Sequence, residues 1–148
     1  MANTKTQERP SLALVRKFDA APGKVWRALT EPELLKQWMR PNDSTKMSTA
    51  EIDLRVGGRY RIVMRPADGE EHDVRGVYRE IVPNRKLVYT WAWKSTSERE
   101  SLVTIELRAA GGGTELTLKH EQFVDEEARD KHQHGWNGCL AGLERFLA

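Results

Sequence analysis

Residues 59–93 read RYRIVMRPADGEEHDVRGVYREIVPNRKLVYTWAW, three runs of alternating side chains broken by two turns. Tyr60, Ile62 and Met64 share one face of the first run, and Arg59, Arg61 and Arg65 share the other, which is the two-residue period of a half-buried strand. The apolar face must continue past Asp68-Gly69 through Val74, Gly76 and Tyr78, because a slip of one residue would turn all three to solvent. Met64 is expected to face Val74 and Arg65 to oppose Asp73, across a turn of three or five residues with Gly69 at positive φ. Four turn residues, Pro83–Lys86, then set Val82 beside Leu87, with Tyr89, Trp91 and Trp93 following on the same face. This phase also puts Glu80 on the inward face, near a strand end.

The period holds on both sides of this stretch. Strands are expected over 47–54, 59–65, 72–82, 87–94, 101–108 and 114–121, an antiparallel meander whose apolar face continues through Val103, Ile105, Leu107, Leu116, Leu118 and His120. SLALVRKF, residues 11–18, reads as a first strand. Between it and the meander, Asp19 to Met39 is helical in two pieces. Pro22 sits where a first helical turn tolerates it, and Thr30-Glu31-Pro32-Glu33 reads as a capping box that restarts the chain as a second helix through Leu34, Leu35 and Trp38. From about Glu126 to Leu147 the period changes to that of one long amphipathic helix. Ala128, His132, Gly135, Trp136, Cys139, Leu140, Leu143, Phe146 and Leu147 fall on one stripe, whose best burial is against the apolar sheet face. The fold class is therefore α+β, a sheet of about seven antiparallel strands with two short helices after the first and a long helix at the end. Residues 1–10, polar and ended by Pro10, are expected to be a disordered tail preceding a single domain over 11–148.

Composition removes several function classes. Lys and Arg number 24 against 22 Asp and Glu, with the signs interspersed, so no basic footprint for nucleic acid or an acidic membrane is present. No stretch approaches the ~20 apolar residues of a membrane span, and the polar N-terminus carries no apolar signal region. The single cysteine, Cys139, excludes an internal disulfide framework and suits a reducing, cytoplasmic setting. Leu, Ile, Val and Phe make up only about a fifth of the chain, near the disordered range, but five tryptophans (Trp26, Trp38, Trp91, Trp93 and Trp136) can complete an aliphatic-poor core.

The element order, together with FDAAPGKVWRALTEPELLKQW (18–38), DLRVGGRYR (53–61), GVYREIVPNRKLVYTW (76–91), SLVTIEL (101–107), GGGTELTLKHEQF (111–123) and GWNGCLAGLERFL (135–147), resembles the START-like, helix-grip domains of the SRPBCC superfamily. The chain is similar, over about residues 12–148, to the branch made up of homologues of the activator of the 90-kDa heat-shock protein's ATPase. The resemblance implies a curved sheet gripping the last helix around an internal cavity, which many superfamily members use for hydrophobic ligands. It extends only to the C-terminal domain of the longer, two-domain co-chaperone.

Candidate ligand-cavity residues are the rings and side chains on the faces that meet: Tyr60, Met64, Tyr78, Tyr89, Trp91, Trp93 and His120 from the sheet, His132 and Trp136 from the last helix, and Trp38 at one mouth. Such rings either fill a core or wall a compartment, and the polar tips of three tyrosines and several indoles favour the compartment. Gly135, Gly138 and Gly142 allow either close approach of the helix or free space beside it. His120 and His132 are either satisfied core histidines or groups that orient a polar ligand atom or move a proton near neutral pH; Glu80 is a rim carboxylate or a third such group. No metal and no cofactor is expected. His132 and His134 are two apart on a helix and point about 200° from one another, and neither His72 nor His120 has a partner at ligand spacing. Cys139 lies in mid-stripe and reads as packing. The Gly111–Gly113 run connects strand to strand, so it reads as a hairpin loop rather than a phosphate cradle. Arg59, Arg61, Arg75 and Arg79, accompanied by acidic residues, read as a solvated convex face.

The expected function is non-catalytic binding of a small hydrophobic or amphipathic molecule between sheet and last helix. Two alternatives remain open. One is a protein-interaction or chaperone-associated stress-response module working through the outer face and the Lys94–Glu100 segment. The other is a cyclase- or hydrolase-like enzyme using the same cavity, for which His120, His132 and Glu80 are the available acid and base groups.

Overall fold

The computed structural model describes residues 9–40, 42, 44–67 and 69–148. Seven strands, β1 (Leu12–Phe18), β2 (Lys46–Ile52), β3 (Arg59–Arg65), β4 (His72–Val82), β5 (Lys86–Trp93), β6 (Ser101–Ala110) and β7 (Gly113–Glu121), form one antiparallel sheet in the order β1-β7-β6-β5-β4-β3-β2. Helices α1 (Pro22–Thr30) and α2 (Pro32–Trp38) link β1 to β2, and α3 (Glu126–Leu147) lies against the apolar face. This is the helix-grip arrangement expected above. Residues 1–8 of the expected tail lie outside the described residues. Pro10 is tied down, its carbonyl accepting from Phe123 N at 3.2 Å.

The alternating face is inward on every strand, save at the end of β4. Tyr60, Ile62, Met64, Val74, Tyr78, Leu87, Tyr89, Trp91, Val103, Ile105, Leu107, Leu116 and Leu118 are all buried. They meet Trp136, Cys139, Leu140, Leu143 and Leu147, the centre of the α3 stripe. Asp125 caps α3 with a side-chain oxygen that accepts from Ala128 N at 2.8 Å, and Glu126 and Glu127 follow in the first turn, where the helix dipole favours negative charge.

Four local expectations change. The β3–β4 register sets Met64 opposite His72 and Ile62 opposite Val74, two residues from the expected pairing, and Val63 rather than Arg65 opposes Asp73. A two-residue slip keeps every side chain on its face, so alternation could not detect it. The turn is correspondingly longer, with Gly69 at φ 85 as expected, and Arg65 pairs with Glu71 instead of Asp73. In β4 the register shifts between Tyr78 and Glu80, a bulge that inserts one residue. Ile81 therefore opposes Leu87, Val82 opposes Lys86 across a three-residue turn, and Glu80 faces outward in an ion pair with Lys86 at 3.3 Å. The capping box does not form. Pro32 pushes Glu31 into extended backbone as the N-cap of α2, and Thr30, the last residue of α1, turns its hydroxyl back to donate to the Trp26 carbonyl at 2.8 Å. The glycine loop is tighter than its sequence suggests: Gly111 and Gly112, at φ 54 and 86, make a two-residue hairpin, and Gly113 already pairs with Ala110.

The glycines of α3 differ from one another. A Cβ on Gly142 would come within 2.7 Å of the Trp38 carbonyl, so this glycine lets α3 approach α2, not the sheet. At Gly135 a Cβ would meet nothing within 4 Å. Free space lies there.

Candidate functional site

The interior divides into two ends. At one, Tyr60, Tyr78 and Tyr89 form a triangle with ring centroids 5.7, 5.2 and 6.0 Å apart. Only about 30 Å³ is left beside them, lined also by Trp38, whose Nε1 donates to the Ala28 carbonyl at 2.8 Å and holds α2 on α1. The Tyr60 hydroxyl is engaged too, donating to the Thr90 carbonyl at 2.5 Å. Burial pushes all three phenols well above their ordinary range, so they are neutral hydroxyls.

At the other end, between β3–β5 and α3, opens a recess of about 360 Å³. Its apolar walls are Met39, Met64, Trp91, Trp93, Trp136 and Cys139, and the exposed side chains of His72, Lys131 and His134 stand beside half-buried His132 and Gly135. A second recess of about 210 Å³ lies alongside and shares Trp91, Trp93, Lys131 and His132 with the first. Of the ten candidates, Met64, Trp91, Trp93, His132 and Trp136 line the larger recess, the tyrosines and Trp38 gather at the packed end, and His120 lies fully buried beneath. Met39 and Cys139 join the walls without having been expected there. Burial raises the Cys139 thiol to about 12, so it is a protonated, apolar wall.

Two indoles fix the state of both histidines. Trp136 Nε1 donates to His120 Nδ1 at 2.9 Å, so the ring proton of neutral His120 sits on Nε2, which is 2.7 Å from Ser101 Oγ. Ser101 in turn donates to the Trp91 carbonyl at 3.2 Å. Trp93 Nε1 donates to His132 Nε2 at 2.9 Å, leaving the proton of His132 on Nδ1, 2.7 Å from the Ala128 carbonyl. The two rings, 5.2 Å apart, thus hold opposite tautomers. The close Ser101–His120 contact resembles a nucleophile with its base, but a ring that donates from Nε2 and accepts at Nδ1 has no lone pair left for the serine proton. Glu80, outside the sheet, completes no acid–base set with them. Among the described residues, no group of three or more His, Cys, Asp or Glu is placed to hold a metal ion.

Burial is the largest cause holding both imidazoles below their ordinary value of 6.5, with the neighbouring His132 adding to the effect at His120. Folding stability is therefore full above pH 6.5 and falls as pH drops below it, since the unfolded chain takes up protons that the folded one refuses. For His120 the slope is about 1.4 kcal/mol per pH unit until it titrates in the folded protein; half-buried His132 adds over a narrower range. Urea midpoints at pH 7.5, 6.5 and 5.5 will check this, the drop falling between the last two.

The outer face carries the expected arginines with their acids. Burial pushes the Asp73 carboxyl up, but hydrogen bonds from Arg75 and Arg61 outweigh it and leave it below its ordinary 3.8. The open depression there, about 570 Å³, is lined by both signs of charge.

Comparison with known proteins agrees with this fold. A family model described as "Activator of Hsp90 ATPase homolog 1-like protein" matches residues 19–148. The human protein named activator of 90 kDa heat shock protein ATPase homolog 1 is 25% identical over 144 residues, 91% of this chain; the chain spans 38% of that relative's length. A crystal structure of a protein from Chromobacterium violaceum superposes with a TM-score of 0.84 at 27% identity, covering 93% of this chain and 96% of the other. One from Nitrosomonas europaea gives 0.80 at 29%, covering 93% of each. Among the described residues, no helix is long and apolar enough to cross a membrane.

Proposed function

The chain belongs to the activator of Hsp90 ATPase homolog 1-like family, and on that premise we propose that it is a cytoplasmic, non-catalytic binder of a small apolar or amphipathic molecule. The observation that carries the reading is the recess of about 360 Å³ between the sheet and α3, walled by three tryptophans and two methionines and left open beside Gly135. That volume lies within the ~300–1,000 Å³ range of small-molecule sites. Burial of apolar surface at about 25 cal/mol per Å² supplies the affinity.

Gly135 provides the test. Because its Cβ direction is empty and it sits within α3, Gly135→Ala is expected to raise stability by about 0.5–1 kcal/mol. Gly135→Leu keeps the helix and fills the recess, so titration with 1-anilinonaphthalene-8-sulfonate, read by probe and tryptophan fluorescence, should show at least tenfold weaker binding. Equal affinity in Gly135→Leu and the parent would remove the recess as the site. Native mass spectrometry of protein from its own host would identify a retained molecule directly.

A second reading, a chaperone-associated module, draws on the likeness to the human ATPase activator. Titration with a 90-kDa chaperone separates the two, since binding at tens of micromolar that survives Gly135→Leu would favour the outer surface over the recess.

A further inference from the structure

Trp91 Nε1 is the one buried side-chain nitrogen or oxygen without a hydrogen-bond partner among the described residues. The side chain is only 4% exposed. The neighbouring indoles are satisfied: Trp93 donates to His132 and Trp136 to His120. An N–H withdrawn from water with no acceptor costs about as much as a lost hydrogen bond, so its persistence calls for an acceptor from elsewhere.

Its position says from where. Trp91 lines both recesses, and Trp93 and His132, which the two recesses also share, pack against it with ring centroids at 5.5 and 6.3 Å. The half-buried hydrogen bond from Trp93 to His132 joins the sheet to α3, and both of its residues line the two recesses. We propose that this bond is a latch over the Trp91 N–H, and that the ligand is an apolar molecule bearing one hydrogen-bond acceptor, a ketone, ester or ether oxygen, which opens the latch and accepts from Trp91. Opening joins the recesses into one compartment, and the same oxygen can accept from the freed Trp93 indole. This rests on the ligand-binding reading above and narrows it to a chemical class: an acceptor-free hydrocarbon fills the recess but leaves the donor bare.

The test compares two probes of nearly equal shape, 2-acetylnaphthalene and 2-isopropylnaphthalene, titrated into the ¹⁵N-labelled full chain. Indole resonances are assigned from triple-resonance and nuclear Overhauser spectra of the unsubstituted, isotope-labelled chain. The ketone is expected to bind about tenfold more tightly, with the Trp91 indole proton moving downfield and the Trp93 resonance shifting as its bond to His132 is replaced. Trp91→Phe should abolish the preference, and the unsubstituted protein alone suffices should that variant not fold. Equal binding of the two probes, or a ketone preference that leaves both indole resonances in place, overturns the proposal while leaving the pocket intact. Binding of neither probe is the separate result that removes the pocket itself.

Discussion

Gly76→Ala is expected to destabilise the protein by about 3 kcal/mol, lowering the melting temperature by roughly 10 °C in a chain of this size. The cause is local and double. Tyr60 pairs with Gly76 across β3 and β4, and its ring lies over the glycine so that the hydroxyl can reach the Thr90 carbonyl on β5. A Cβ at position 76 would be driven into that same carbonyl oxygen, with the Thr90 carbonyl carbon and Tyr60 Cε2 each at 2.7 Å. Neither obstacle is the free end of a flexible side chain. The ladder is already adapted here: between the Arg75–Ala92 and Tyr78–Tyr89 pairs, Val77 N donates to Thr90 Oγ1. An alanine must therefore either push β5 away or expel Tyr60, which would leave the Thr90 carbonyl without its phenol donor. Thermal melts of Gly76→Ala beside Gly69→Ala will separate steric from conformational cost. Gly69 has open space around its Cβ direction and only a positive φ to defend, so its alanine variant should lose about 1 kcal/mol. A Gly76→Ala loss no larger than that of Gly69→Ala would mean the β4–β5 junction yields freely.

Gly76 also shows what alternation can and cannot convey. The phase that put Tyr60, Gly76 and Tyr78 on one face follows from a strict two-residue period, and the structure keeps it. Met64 nevertheless faces His72 instead of Val74, because an even slip leaves every face unchanged and the turn length is not written in the period. At Glu80 the failure is of the other kind. The bulge after Tyr78 adds one residue and reverses parity, carrying Glu80 to solvent and Ile81 inward, and the only local trace was two adjacent apolar residues, Ile81 and Val82. The candidate site was legible by face but not by depth. Nothing in the spacing tells Tyr89 from Trp91, two residues apart on β5, yet α2 and Trp38 fill the space beside one while the side of α3 carrying Gly135 leaves room beside the other. Ser101, inward by the same phase as Val103, escaped notice as the partner of His120 because that pairing depends on where Trp136 spends its N–H.

His120→Leu is expected to cost about 3 kcal/mol, and its signature will be its partner dependence. His120 is fully buried and satisfied at both nitrogens, so a side chain of similar size without acceptors strands the Trp136 N–H in the core and removes the donor to Ser101 Oγ. Ser101 keeps the Trp91 carbonyl as its own acceptor, so the uncompensated group is the indole. A double variant, His120→Leu with Trp136→Phe, removes donor and acceptor together. Its loss should fall short of the sum of the two single losses by about 1–2 kcal/mol, the coupling energy of the Trp136–His120 bond. Additive losses would show that the two rings merely pack. The acid limb gives an independent reading of the same bond. Wild-type stability falls below pH 6.5 because unfolding lets His120 take a proton that burial, and secondarily the neighbouring His132, deny it in the fold. A leucine takes no proton in either state. Urea midpoints of His120→Leu should therefore decline less than those of the wild type between pH 6.5 and 5.5, with only the smaller contribution of His132 remaining. If the two proteins decline in parallel, the acid sensitivity lies elsewhere and the neutral Nε2–H tautomer is not what locks α3 to β7.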